Sequence, residues 1–86
     1  MPDSRLHDLH PNWQVHGVSL TRSWQLNDFA EALQLVNAIG EIAEAHNHHP
    51  DVEFGWGYVR LRLTTHDTGT LSERDFALAT ALDLGL

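Results

Sequence analysis

Four side chains able to move a proton or hold a metal crowd the stretch Glu44-Ala45-His46-Asn47-His48-His49-Pro50: one carboxylate and three of the chain's seven histidines. Imidazoles change charge near neutral pH and are common metal ligands, so such a cluster suits either use. An apolar pattern of helical period runs into the stretch from Asp28. Continued through it, the helix would stack Glu44 and His48, four residues apart, on one face. Pro50 disfavours helical geometry at the residue before it, so His49 should leave the helix extended, just beyond His48. His46, two residues before His48, should point elsewhere and be exposed. Downstream, His66 ends a strand pattern and Asp75 falls in the first turn of a last helix. If that strand's end approaches the end of the long helix, His48, His49, His66 and Asp75 converge on one pocket.

Three uses of this set compete on the residues alone. Three imidazoles and a carboxylate would suit zinc or iron, although adjacent histidines at a proline-broken helix end lack the i, i+4 geometry of a helical metal pair. Metal-free acid–base catalysis needs imidazoles within reach of one substrate. A purely structural use is also consistent. Glu44–His48 would then be a surface pair worth roughly 0.2–0.5 kcal/mol, and Asp75 a first-turn carboxylate.

The elements that must position these residues read as follows. Trp13 to Val18 alternates, with Gly17 marking a turn, and Leu20, Arg22, Trp24 and Leu26 alternate with polar residues. Two strands joined near Gly17 are expected. Asp28 is an N-cap with Glu31 at N3. Phe29, Leu33, Val36, Ile39, Gly40 and Ala43 then form a helical apolar face, broadened by Ala32 and Leu35. Gly40 in a helix interior suggests close packing against another backbone. Val52, Phe54 and Trp56 alternate as a third strand, and Val59, Leu61, Leu63 and Thr65 as a fourth, with Arg60 and Arg62 on a solvated or cross-strand charged face. Gly69 marks a turn, and Ser72 caps a final helix with Asp75 at N3 and Phe76, Ala79 and Leu82 inward. Residues 1–12 are expected to be a short helix or a loose arm. The order implies an α+β fold, a four-stranded antiparallel sheet with its helices packed on one face.

Composition narrows the function classes. Eighty-six residues make a single domain with a small core, which oligomerisation would help to stabilise. A net charge of −7, with arginine the only strong base, lacks the footprint of a nucleic-acid binder. Without cysteine there is no disulfide or thiolate metal site. No run approaches the ~20 apolar residues of a membrane span. The polar start, Met1-Pro2-Asp3-Ser4-Arg5, is unlike a secretory signal, so the cytoplasm is expected.

Glu44-x-x-x-His48-His49-Pro50, Trp56, Thr65-His66-Asp67 and Leu71-Ser72-Glu73-Arg74-Asp75, in this order, closely resemble the pterin-4a-carbinolamine dehydratase family. Leu20-x-Arg22-x-Trp24 followed by Asp28-Phe29 is similar to the family's second strand and helix start, so the resemblance runs from about Trp13 to Leu82. It implies a metal-independent, cofactor-free dehydratase in tetrahydrobiopterin recycling. Such an enzyme removes water from 4a-hydroxytetrahydropterin, the spent cofactor of aromatic amino acid hydroxylases, to give quinonoid dihydropterin. It also implies His48, His49 and His66 as the active-site histidines, with Glu44, Pro50 and Asp75 around them. His48 would be the principal acid–base group, His66 its partner, and His49 a positioning group for the pterin. A homodimer or homotetramer is expected. The alternative is a non-catalytic binding, assembly or coactivator protein on the same fold. The chain departs from the pattern at Val52, where many members carry an aromatic residue, and at Thr70, where many have a second glycine beside Gly69.

Overall fold

A computed structural model describes residues 4–86; the expectation for residues 1–12 lies outside it at Met1, Pro2 and Asp3. The chain opens with a 3-10 turn, Ser4–Asp8. Strands β1 (Gln14–His16) and β2 (Ser19–Gln25) follow, then helix α1 (Phe29–His46), β3 (Asp51–Gly55), β4 (Tyr58–Leu63) and α2 (Glu73–Gly85). The four strands form one antiparallel sheet in the order β1-β2-β4-β3, the α+β architecture expected.

Strand alternation decides which face the helices cover. Leu20, Arg22 and Trp24 of β2 stand opposite Leu63, Leu61 and Val59 of β4, and Val52 and Phe54 of β3 oppose Leu61 and Val59. Leu20, Val59, Leu61 and Leu63 are buried there with Ile39 and Ala43 of α1 and with Phe76, Leu78, Ala79 and Leu82 of α2. Each large side chain so buried contributes roughly 1.5–3 kcal/mol. On the open face Arg60 meets Glu53 at 2.5 Å and Arg62 meets Asp51 at 3.4 Å, the cross-strand charge pairing expected.

Local chemistry sets the helix starts. Asp28 caps α1 by accepting the Glu31 N–H, while Glu31 reaches back to the Asn27 N–H. Ser72 and Asp75 form a complete capping box on α2.

Three expectations are corrected. Gly40 is exposed, and a Cβ built on it would meet nothing within 4 Å, so it makes no close backbone contact. Phe29 and Leu33 are 47% and 41% exposed, so of the expected apolar face of α1 it is Ala32, Ile39 and Ala43 that are buried. Trp56 lies beyond β3 in the β3–β4 turn, 73% exposed, where Gly57 at φ +82° reverses the chain.

Candidate active site

Helix α1 ends at His46, earlier than the stop expected from Pro50. Asn47 takes the left-handed conformation at φ 49°, which asparagine tolerates better than most residues, and its N–H closes on the Ala43 and Glu44 carbonyls. The His48 N–H also returns to the Ala43 carbonyl, at 3.3 Å. His48 is therefore outside the helix, and the expected Glu44–His48 stack does not form. Glu44 Oε2 instead contacts Nε2 of His49, and both side chains are exposed. His46 is exposed, as expected.

The αL turn delivers His48 to the start of α2. Its Nε2 lies 2.6 Å from Oδ1 of Asp75, with 11% of the His48 side chain exposed and none of the Asp75 side chain. A carboxylate so enclosed must be hydrogen-bonded. Oδ2 of Asp75 accepts the Thr65 hydroxyl at 2.7 Å and the Ser72 N–H at 3.0 Å. Thr65 reaches it because β4 continues into a bridge between Thr65 and Thr70, closed by the turn at Gly69 with φ +67°. His66 sits at the start of that turn, exposed.

Asn47, His48, His49, Thr65, His66, Asp67 and Arg74 line one cleft of about 180 Å³. It gathers His48, His49 and His66 at its surface. Asp75 stands behind His48, Glu44 beside His49, and the half-buried Pro50 leads into β3. Among the described residues, Arg22 Nε is the one buried side-chain nitrogen or oxygen without a partner. Nδ1 of His48, which makes no hydrogen bond, is not among such buried atoms and so keeps some accessible surface. One ring nitrogen is held by a carboxylate and the other is unbonded, an arrangement in which a buried acid can orient an imidazole.

A larger hollow of about 330 Å³ lies on the open sheet face among Thr21, Ser23, Asp51, Glu53, Arg60 and Arg62. It contains no histidine, and its charges pair across the strands. Of these two hollows, the smaller cleft is the one lined by histidines. Sequence reasoning passed over Asn47 and Arg74 as lining residues and Thr65 as the partner of Asp75. The available signal was the Ser72–Asp75 capping box, which fixes the backbone on either side of Arg74.

The family model described as Pterin 4 alpha carbinolamine dehydratase matches residues 2–84. A Chloroflexus aurantiacus protein provisionally named pterin-4-alpha-carbinolamine dehydratase is 44% identical over 73 residues, 85% of this chain and 78% of its own. One of the same provisional name from Acidobacterium capsulatum is 41% identical over 81 residues, covering 94% and 87%. The structure of a transcriptional coactivator/pterin dehydratase from Brucella melitensis superposes with a TM-score of 0.82 at 27% identity, over 93% of this chain and 86% of that one. A pterin dehydratase-like protein, described as a RuBisCO assembly factor in the alpha-carboxysome, shares the fold at 22% identity and a TM-score of 0.66, over 93% and 90%.

Proposed function

The chain belongs to the pterin 4 alpha carbinolamine dehydratase family, and from that premise we propose that it dehydrates 4a-hydroxytetrahydropterin by histidine acid–base catalysis. In this reaction the C4a–O bond breaks as the hydroxyl takes a proton and leaves as water. N5 loses its proton and a C4a=N5 double bond forms, giving the quinonoid dihydropterin. One proton is delivered and one removed, with no change in oxidation state, so two imidazoles suffice.

His48 is the principal proton carrier, His66 its partner at the rim, and His49, tied to Glu44, positions the ring. The single observation that carries this reading is His48 itself. Its Nε2 is bonded to a carboxylate with no exposed surface, its other nitrogen is unbonded, and the residue lines a cleft with His49 and His66.

A non-catalytic binding role on this fold would not need a buried carboxylate behind a cleft imidazole, and the catalytic reading is preferred for that reason. It goes with a cytoplasmic location; no helix among the described residues is long and apolar enough to cross a membrane. It also goes with a homo-oligomer formed through the sheet edge, since β3 has only β4 beside it. The test is the rate of carbinolamine dehydration with the wild-type protein and with His48→Ala, where acceleration by the first and its loss in the second are expected.

A further inference from the structure

A run of hydroxyls from the cleft wall at Thr65 back to Ser72 takes no part in the proton transfers proposed above. Thr65 is 1% exposed and Ser72 half-buried. The one hydroxyl proton of Thr65 is given to Oδ2 of Asp75 at 2.7 Å. The 2.5 Å contact between Thr65 Oγ1 and Ser72 Oγ must therefore run from the Ser72 hydroxyl to Thr65. Ser72 Oγ in turn accepts the Arg74 N–H at 3.2 Å. Each link has one direction: Arg74 N–H to Ser72, Ser72 to Thr65, Thr65 to Asp75. With Oδ2 filled by Thr65 and the Ser72 N–H, Oδ1 remains for Nε2 of His48. A carboxylate oxygen accepts, so Nε2 bears the hydrogen.

We propose that Thr65 is a positioning residue whose hydroxyl, fed by Ser72, pins the Asp75 carboxylate so that His48 is held as its Nε2–H tautomer with Nδ1 as the proton-exchanging atom. Without that hydroxyl, Oδ2 keeps only the Ser72 N–H, and the carboxylate is free to turn about its Cβ–Cγ bond. The tie to Nε2 loosens and the ring samples both tautomers. Thr65→Val tests this while nearly preserving volume, and Thr65→Ser restores the hydroxyl. The kinetic part rests on the dehydratase reading; the tautomer part does not.

The measurement is ¹⁵N NMR of histidine-labelled protein without substrate, with His48 assigned from the His48→Ala spectrum, alongside steady-state kinetics. Expected are an Nε2–H signature in the wild type and a mixed signature in Thr65→Val. The kcat of Thr65→Val should fall roughly 10- to 100-fold, the cost of losing an orienting partner behind a working imidazole, with KM nearly unchanged. Thr65→Ser should recover both. A wild-type His48 protonated on Nδ1, a Thr65→Val protein with unaltered signature and kcat, or a folded Thr65→Ser as impaired as Thr65→Val would each overturn the proposal. Should Thr65→Val not fold, Thr65→Ala takes its place: it also removes the hydroxyl that pins Asp75 and should shift the His48 signature the same way, an unchanged signature overturning the proposal. A wild-type protein with the expected signature but no dehydratase activity would contradict the proposed function and leave this inference standing.

Discussion

Nε2 of His48 lies 2.6 Å from Oδ1 of Asp75, although the two residues are 27 apart in the chain. The contact joins two helix ends: His48 follows the left-handed cap of α1, and Asp75 closes the capping box of α2. The same carboxylate thus caps a helix, satisfies a buried threonine and orients an imidazole. Its loss should show in stability and in activity together.

Asp75→Asn keeps the shape but replaces an acceptor-only group with an amide that has one accepting oxygen. Either His48 or the Thr65 and Ser72 donors must then face an NH₂. A fall in kcat of up to about 10⁴-fold is expected, the cost of replacing by an amide the carboxylate that holds a working imidazole in its tautomer. A stability loss of about 1–3 kcal/mol should accompany it. Urea denaturation and steady-state kinetics on the same preparation check both.

The three cleft imidazoles should separate kinetically. His48→Ala should lower kcat roughly 10²–10⁴-fold. His49→Ala, losing an exposed positioning contact, should show more of its damage in KM. His66→Ala should lower kcat and leave residual activity, because His48 remains. A His48→Ala protein with near-normal kcat beside an inactive His49→Ala would reverse these roles. Circular dichroism verifies folding in each case.

Asp83 should matter for stability and not for chemistry. It accepts from Arg22 at 2.8 Å, from the Trp13 indole at 2.9 Å and from the His10 N–H at 2.9 Å, tying the end of α2 to β2 and the N-terminal segment. Burial pushes the Arg22 guanidinium below the usual arginine range, and Asp83 pulls it back up. Asp83→Ala leaves that guanidinium between the Trp13 and Trp24 rings without its counter-charge. A loss of about 3 kcal/mol is expected in denaturant unfolding, with kcat of the folded protein unchanged.

The open edge of β3 should support self-association. Sedimentation at micromolar concentration is expected to give at least a dimer, and a clean monomer would contradict it.

Most of the scaffold was legible because its signals are local. Asp28 and Ser72 are short-range caps, and the alternation of Val59, Leu61 and Leu63 with Arg60 and Arg62 fixes both faces of β4 within one strand. The end of α1 was misplaced because the apolar pattern runs out at Ala43 and Pro50 is the next strong stop signal, whereas Asn47 turns left-handed three residues before it, and one αL residue rotates everything after it. That rotation exchanges His48 for His49 as the partner of Glu44. Gly40 misled because helix-interior glycine has no single cause, and here the space around it is open. The Asp75 hydrogen bonds to His48 and Thr65 and the Arg22–Asp83 pair were out of reach for another reason: each joins side chains brought together only by tertiary packing.

The central claim is that this protein dehydrates a pterin 4a-carbinolamine through His48. The most direct measurement generates the carbinolamine in situ and follows quinonoid dihydropterin formation by stopped-flow absorbance, with wild-type and His48→Ala proteins present in turn. A rate that rises in proportion to wild-type protein and returns close to the uncatalysed value with folded His48→Ala is the predicted result. A folded wild-type protein that leaves the uncatalysed rate unchanged, or a His48→Ala protein as fast as wild type, would contradict it.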